Sequence, residues 1–465
     1  MNKKTLQSAA IYVADAALFF AIMLSGTPDL WKAALGFATL AIGGKLLADV
    51  NGWKSYFGIN IIRGGWGLKA MEKFASKHPN LARFVSDVGA GIGYGVIYSL
   101  VTFSKKNERK KLAVALLLSL AFSGLMAIGS ISNVATLWDA RVLAMLACGA
   151  VGGIALQSIA VLAISAINIF TVSNAPAGAQ FLIPGITVPW EWVIGLAIAA
   201  TIHEFAHGVL CRAEKLGVKD SGAILLGFLP VGAFVEPDEE NFKHLTLEKK
   251  RRILAAGPAA NLAAFVIFSI LALGFAIAAG PTYSSMSAVK VLSVDAAAYP
   301  GSSSLSAGDL ITSVDGERIV GISGLAAAIS DKKQGDTIVL STQNGDKAIT
   351  VGSKNKLGIS VLPSATAGNE TLFAILGFLM TVLSSTAYIN VAIGAINLVP
   401  LFITDGARIV SEELNAAFGK WLGKKKGLAV AAKLSLFASA TAVLLILVNL
   451  AFPSVLKALA GFIIP

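Results

Sequence analysis

Nine apolar stretches, each long enough to cross a hydrocarbon layer of about 30 Å, dominate this chain and leave it few soluble alternatives. They fall near residues 7–26, 31–49, 82–103, 112–130, 142–170, 188–211, 253–279, 371–396 and 428–451. Inside lipid every backbone polar group has to be satisfied by the chain itself, so stretches of this kind become helices. The charge content agrees: 14% of the 465 residues are charged, against roughly a quarter in ordinary soluble domains. The expected class is a polytopic α-helical protein embedded in a lipid bilayer.

The net charge of +11 is carried by short basic runs between apolar stretches, as at 105–111, 249–252 and 424–426. Such runs mark the cytoplasmic ends of helices and give no reason to assign a nucleic-acid partner. The runs at 212–219, 243–252 and 420–426 are expected to share that side, which orients the helices at 188–211, 253–279 and 428–451 and places residues 282–365 outside the cytoplasm. The N-terminal half sorts less well. Basic residues at 54–77 and at 104–111 cannot both be cytoplasmic if 82–103 crosses once, so 31–49 and 82–103 are candidates for re-entrant or interfacial segments. The apolar run after Lys3 and Lys4 contains Asp15 and lacks a small-residue cleavage site, and reads as an uncleaved first helix. Cys148 and Cys211 lie in apolar stretches and give no disulfide framework. No internal repeat stands out, which argues against a transporter.

Against this background His203, Glu204 and His207 spell H-E-x-x-H inside an apolar stretch. At i and i+4 two imidazoles project from one face of a helix and can converge on one zinc ion, with the intervening glutamate as general base for a bound water. Ionisable groups at bilayer depth are costly and by default functional. A hydrolytic zinc site takes three protein ligands, and Asp405 is the best third candidate: it follows an apolar helix, after Pro400 interrupts that helix and before Gly406 relaxes the backbone. His78 and His244 lie in basic loops and read as surface residues. The cluster Glu236, Asp238, Glu239 and Glu240 reads as a solvated turn.

Four features in order, HEFAHG at 203–208, GPAAN at 257–261, NLVPLFITDG at 397–406 and a polar insertion between the last two, resemble the site-2 protease family of intramembrane zinc metalloproteases over residues 185–450, and the stretch Gly232 to Glu240 resembles the version found in archaeal and some bacterial members. The resemblance implies one Zn2+ held by His203, His207 and Asp405, Glu204 as the base, Asn397 holding the substrate backbone and Asn261 shaping the substrate cleft, with hydrogen-bonded bridging of helices as the alternative for Asn261. It implies an integral membrane protein of a prokaryotic cell membrane that cleaves membrane-anchored proteins in or near their transmembrane segments, the reaction of regulated intramembrane proteolysis. Thr404 stands where that family commonly has leucine.

The insertion, 282–365, alternates short apolar runs with turn signals at Asp315-Gly316 and Asn344-Gly345, and its run from Leu305 to Ile319 resembles a PDZ domain, a small β-rich module that binds peptides along a strand edge. The domain plan is then N-terminal membrane helices of unassigned role (1–180), catalytic-core helices (185–280 and 370–465) and a PDZ-like filter between them. Gly222 to Val235 is expected to form a re-entrant hairpin that offers a strand edge to unwound substrate, with a plain loop as the alternative. The competing function is an inactive membrane adaptor that binds peptide tails through the PDZ-like module.

Overall fold

The computed structural model describes residues 3–130, 140–171, 182–353 and 356–463, so the domain boundary expected at 180 lies outside the described residues. The chain divides into two units, residues 1–268 with 385–465, and residues 269–384. Among the described residues eight helices are long and apolar enough to cross a membrane.

The first unit opens with the helices α1 (Lys3–Leu24) and α2 (Asp29–Asn51), followed by a short hairpin, β1 (Lys54–Tyr56) and β2 (Ile59–Arg63), and an amphipathic helix α3 (Leu68–Lys77). Next come α4 (Pro79–Thr102), α5 (Arg109–Ser130) and α6 (Ala140–Thr171). Neither α4 nor α6 is one straight rod. Gly95 (φ 81°, ψ −165°) and Gly153 (φ 65°, ψ −162°) break them in a backbone region open essentially to glycine alone. In an unbroken helix Ser99 would lie about 12 Å beyond Gly91. Instead its Oγ comes within 2.8 Å of where a Gly91 Cβ would stand, so the chain doubles back at Gly95. Asp87, before the reversal, therefore meets Lys111 of α5 at 2.7 Å. Because α4 starts and ends at the same end of the bundle, the basic residues before and after it can share a side, and the conflict between those two runs disappears.

After α4–α6 come α7 (Trp192–Ala213), a long hairpin β3 (Val218–Leu226) and β4 (Leu229–Pro237), the short α8 (Glu239–Phe242), and α9 (Leu247–Met286). The expected hairpin at 222–235 is present, within a four-stranded sheet of order β1-β2-β3-β4. Ile59 to Arg63 pair antiparallel with Leu226 to Gly222, so residues more than 150 positions apart complete one sheet and leave β4 on its edge. A core of Met71, Val209, Leu210, Ile253, Leu254 and Ile409 joins helices around this sheet.

The second unit holds a β-module: β5 (Ser287–Val294), β6 (Leu310–Val314), β7 (Glu317–Arg318), α10 (Gly321–Ser330), β8 (Thr337–Thr342), β9 (Gly345–Thr350) and β10 (Ile359–Ala365). Strand order is β10-β5-β6-β8-β9, with β7 pairing β6, over a core of Val289, Val291, Ile311, Ile338, Leu340 and Ile349. The chain then returns through α11 (Glu370–Leu398) to α12 (Asp405–Leu422) and α13 (Lys424–Ile463).

Candidate metal centre

The i, i+4 spacing on α7 brings His203 Nε2 to 3.2 Å from His207 Nε2, and Asp405 Oδ2, from the first turn of α12, lies 3.1 Å from each. Two ring nitrogens and a carboxylate oxygen at these separations present lone pairs to one point. Donors about 2.0–2.1 Å from a tetrahedral zinc ion are about 3.3 Å apart, so the triangle is the size such an ion requires. The second nitrogens are engaged in the sense that frees the first: His203 Nδ1 lies 2.6 Å from Asn261 Oδ1, and His207 Nδ1 lies 2.8 Å from the carbonyl of Ile253. Each oxygen accepts an N–H from Nδ1 and leaves Nε2 as the unprotonated, metal-ready atom. His203, His207 and Asp405 are the one group among the described residues with metal-ligand grouping.

Two backbone features make room for this triangle. Gly257 of α9 faces both imidazoles; a Cβ there would stand 2.5 Å from His203 Nε2 and closer still to His207 Nε2. Gly406 keeps a helical backbone, so its use differs from the backbone relaxation expected of it: the first turn of α12 packs directly on the Leu398 and Val399 carbonyls, where a side chain has no space. Thr404 is the N-cap of α12. Its Oγ1 donates to the Val399 carbonyl at 2.6 Å and accepts from the Ala407 amide at 3.4 Å, a service leucine cannot provide.

Glu204 points beside the triangle, its Oε2 accepting the Val235 amide of β4 at 2.9 Å. His203, Glu204, His207, Asn397 and Asp405 line one cavity of about 180 Å³, together with Val235, Ile253 and Arg408. Asn397 Nδ2 donates to the Ile393 carbonyl of its own helix at 3.1 Å. Asn261 stands elsewhere than a substrate-contacting residue would: it has no exposed surface, and its amide donates to the Ala199 carbonyl at 3.0 Å and to Asn390 Oδ1 at 2.8 Å while its oxygen faces His203. Of the acidic cluster, Asp238 caps α8, Glu236 pairs with Arg63, and Glu239 receives Arg408 at 3.0 and 3.1 Å beside the cavity. His78 and His244 are exposed, as expected.

Sequence reasoning named Gly257 only as part of the GPAAN motif, without its place against the imidazoles, and missed Asn390 and the partners Ile253 and Val235. Asn390 had a signal: with Asn397 it forms a pair of carboxamides seven residues apart on one face of a mostly apolar helix.

Comparison with known proteins agrees with this geometry. Over 235 residues the chain is 33% identical to an uncharacterized protein of Methanocaldococcus jannaschii, a match covering 48% of this chain. The matched region spans 58% of the length of that archaeal relative. Peptidase family M50 matches residues 191–440, from the start of α7 into α13. That match takes in more than half of the 465 residues, and the chain therefore belongs to peptidase family M50, the site-2 protease family of multi-pass membrane metalloproteases.

Proposed function

We propose that this chain is an intramembrane zinc endopeptidase that hydrolyses peptide bonds in or near the transmembrane segments of membrane-anchored proteins. The observation that carries the reading is the triangle of His203 Nε2, His207 Nε2 and Asp405 Oδ2, with both Nδ1 atoms already committed to oxygen acceptors. A zinc ion held by His203, His207 and Asp405 would supply Lewis acidity towards the scissile carbonyl and would lower the pKa of water towards neutrality. Glu204 would serve as the general base and then as the acid towards the leaving amine, its carboxylate aimed by the Val235 amide. Asn261 holds His203 in the tautomer that binds metal and is a positioning residue in this scheme. Asn397 lines the cavity and meets the substrate backbone.

A helical substrate hides its carbonyls in i to i−4 bonds and has to unwind before it can be cut. Its freed backbone groups need partners, and β4 offers them. The Val235 amide points away from β3, towards Glu204, so by the alternation of an antiparallel pair the amide and carbonyl of Ala233 also face the open edge. An extended segment laid along β4 is led straight to Glu204. Residues 218–226 form the inner strand β3, so the receiving edge of the hairpin is β4.

The β-module is assigned as PDZ-like. A cleft of about 490 Å³ runs between α10 and the edge strand β10, lined by Leu325, Ile329, Gly358 and Val361, the setting in which an extended peptide adds to a strand beside a helix. It filters substrates, while 185–280 and 370–465 carry the catalysis.

The test is zinc content and cleavage of a transmembrane substrate by purified protein. Glu204→Gln keeps one zinc per chain and loses cleavage by about 10²- to 10⁴-fold; Asp405→Ala loses both. Undiminished cleavage by Glu204→Gln overturns the enzyme reading.

A further inference from the structure

The break in α4 has a counterpart in α6. Gly91, Gly95 and Ser99 correspond to Gly149, Gly153 and Gln157 at a constant offset, and both central glycines have nearly the same φ and ψ. In α6, too, the chain reverses: Gln157 Oε1 lies 2.8 Å from where a Gly149 Cβ would stand, and Met145 packs against Ala160, Val161 and Ile164 across the bend. The two hairpins enter the bundle from opposite ends. That at α4 returns to the basic end, where Asp87 meets Lys111 and Arg252, whereas α5 leads away from that end to the start of α6. They meet tip to tip: Gly95 abuts the Gly153 amide and the Ala150 and Val151 carbonyls, and Gly153 abuts the Ile92 and Gly93 carbonyls. This is a short repeat of inverted direction, invisible to a search for similar sequence because it consists of two glycines and one polar residue.

The seam between the two hairpins and α5 is polar in an unusual way. Ser99, Ser119 and Gln157 have no exposed surface and Ser123 has 1%, yet Ser99 Oγ, Ser119 Oγ, Ser123 Oγ and Gln157 Oε1 have no hydrogen-bond partner among the described residues. Ser119 and Ser123 are one turn apart on the same face of α5. Ser123 Oγ and Gln157 Oε1 crowd the same Gly149, and Gln157 Nε2 donates to the Ser123 carbonyl at 2.8 Å, which fixes its oxygen towards the seam. Unpaired oxygens at this depth are costly unless something binds them. These four groups of the seam are all neutral oxygens, and the nearby carboxylate, Asp87, is already matched by Lys111 and Arg252. Neutral oxygen ligands beside interrupted helices suit a dehydrated monovalent cation and supply too little negative charge for a divalent one.

We propose that the seam of α4, α5 and α6 is a binding site for an alkali cation, held by the oxygens of Ser119, Ser123 and Gln157, with Ser99 at the opposite hairpin. The site has a structural route to the metal centre. Gly93 at the α4 tip packs on Leu398, Tyr94 donates its hydroxyl to the Leu398 carbonyl at 3.2 Å, and that carbonyl is the surface on which Gly406, next to Asp405, rests. A cation that fixes the hairpin tips thereby fixes the turn that presents Asp405.

The test is thermal unfolding of the full-length, zinc-loaded protein in sodium, potassium or N-methylglucamine chloride at constant ionic strength, with zinc content measured in parallel. Sodium or potassium is expected to raise Tm saturably over N-methylglucamine, as for a ligand bound by the folded state alone. Gln157→Leu should raise the half-saturating concentration by at least about tenfold, and Gln157→Glu, which adds a charge to the same oxygen position, should lower it. Equal Tm in the three salts overturns the proposal and leaves ordered water as the occupant of the seam. So does a cation dependence that both Gln157 variants share with the wild type. The wild-type comparison decides even if a variant fails to fold.

Discussion

Gly257 shows how much of the metal centre rests on an atom that is absent. In a helix interior alanine is favoured over glycine by roughly 0.5–1 kcal/mol, so propensity alone makes Gly257→Ala stabilising. The contact says the reverse, since the new methyl would stand 2.5 Å from His203 Nε2. We expect Gly257→Ala to purify folded but without zinc, and metal analysis checks it. Asn261→Ala should act more gently. It removes the acceptor that holds His203 Nδ1, and loss of such an outer partner weakens zinc affinity by about 10- to 100-fold, measurable by chelator competition. The difference between these residues also explains what could be read in advance. His203, Glu204 and His207 were legible because one helical turn contains their whole geometry. Asp405 needed a distant turn to come close, and its neighbours Pro400 and Gly406 supplied that hint. The motif of Asn261 announces the site but leaves open whether the side chain shapes the cleft or bridges helices, and its bonds to Ala199 of α7 and Asn390 of α11 are those of a bridge. Only the fold reveals that it faces the back of His203.

Among the elements, β4 is where the proposed chemistry and the architecture meet. Among the described residues no strand pairs with its outer edge, because β1 and β2 add to the opposite side of β3. That extension went unread: residues 54–63 are few, carry basic ends and pair with a strand more than 150 positions away. The β3–β4 hairpin itself was legible from its glycines and Pro230. The edge reading gives opposite expectations for adjacent residues. Ala233→Pro deletes an outward amide, a change an edge strand tolerates, and the loss of one such bond to substrate should lower kcat/KM by about 3- to 10-fold. Phe234→Pro deletes an amide that faces β3 and should instead reduce the yield of folded protein. If Ala233→Pro cleaves a transmembrane substrate at the wild-type rate, substrate does not pair along β4.

Across the whole molecule, the charge pattern gives one consistent orientation for the C-terminal helices and conflicts with itself at the N-terminus, for a physical reason: the positive-inside argument counts crossings, and the chain of α4 reverses direction at Gly95. The β-module was legible because its alternation and turns are local, and its acid sensitivity follows from the same local groups. Burial pushes the Asp309 carboxyl up, but Lys347 at 2.7 Å, the Ser306 amide at 2.8 Å and Asn344 at 3.0 Å outweigh it and leave the group below the usual carboxylate range. Asp315 is lowered too, first by Lys332 at 2.7 Å and then by the Val339 amide at 2.8 Å. A carboxylate depressed in the folded state contributes stability above its unfolded value of about 3.9 and loses it as pH falls towards the folded one. We therefore expect hydrogen exchange of the full chain, corrected for its intrinsic pH dependence, to show β5–β10 losing protection as pH drops from about 5 to about 3. Asp309→Asn cannot take up that proton. The variant should be less protected at neutral pH, where it lacks the Lys347 pair, and should show a flatter decline into acid; a decline as steep as the wild type's would remove Asp309 as its source.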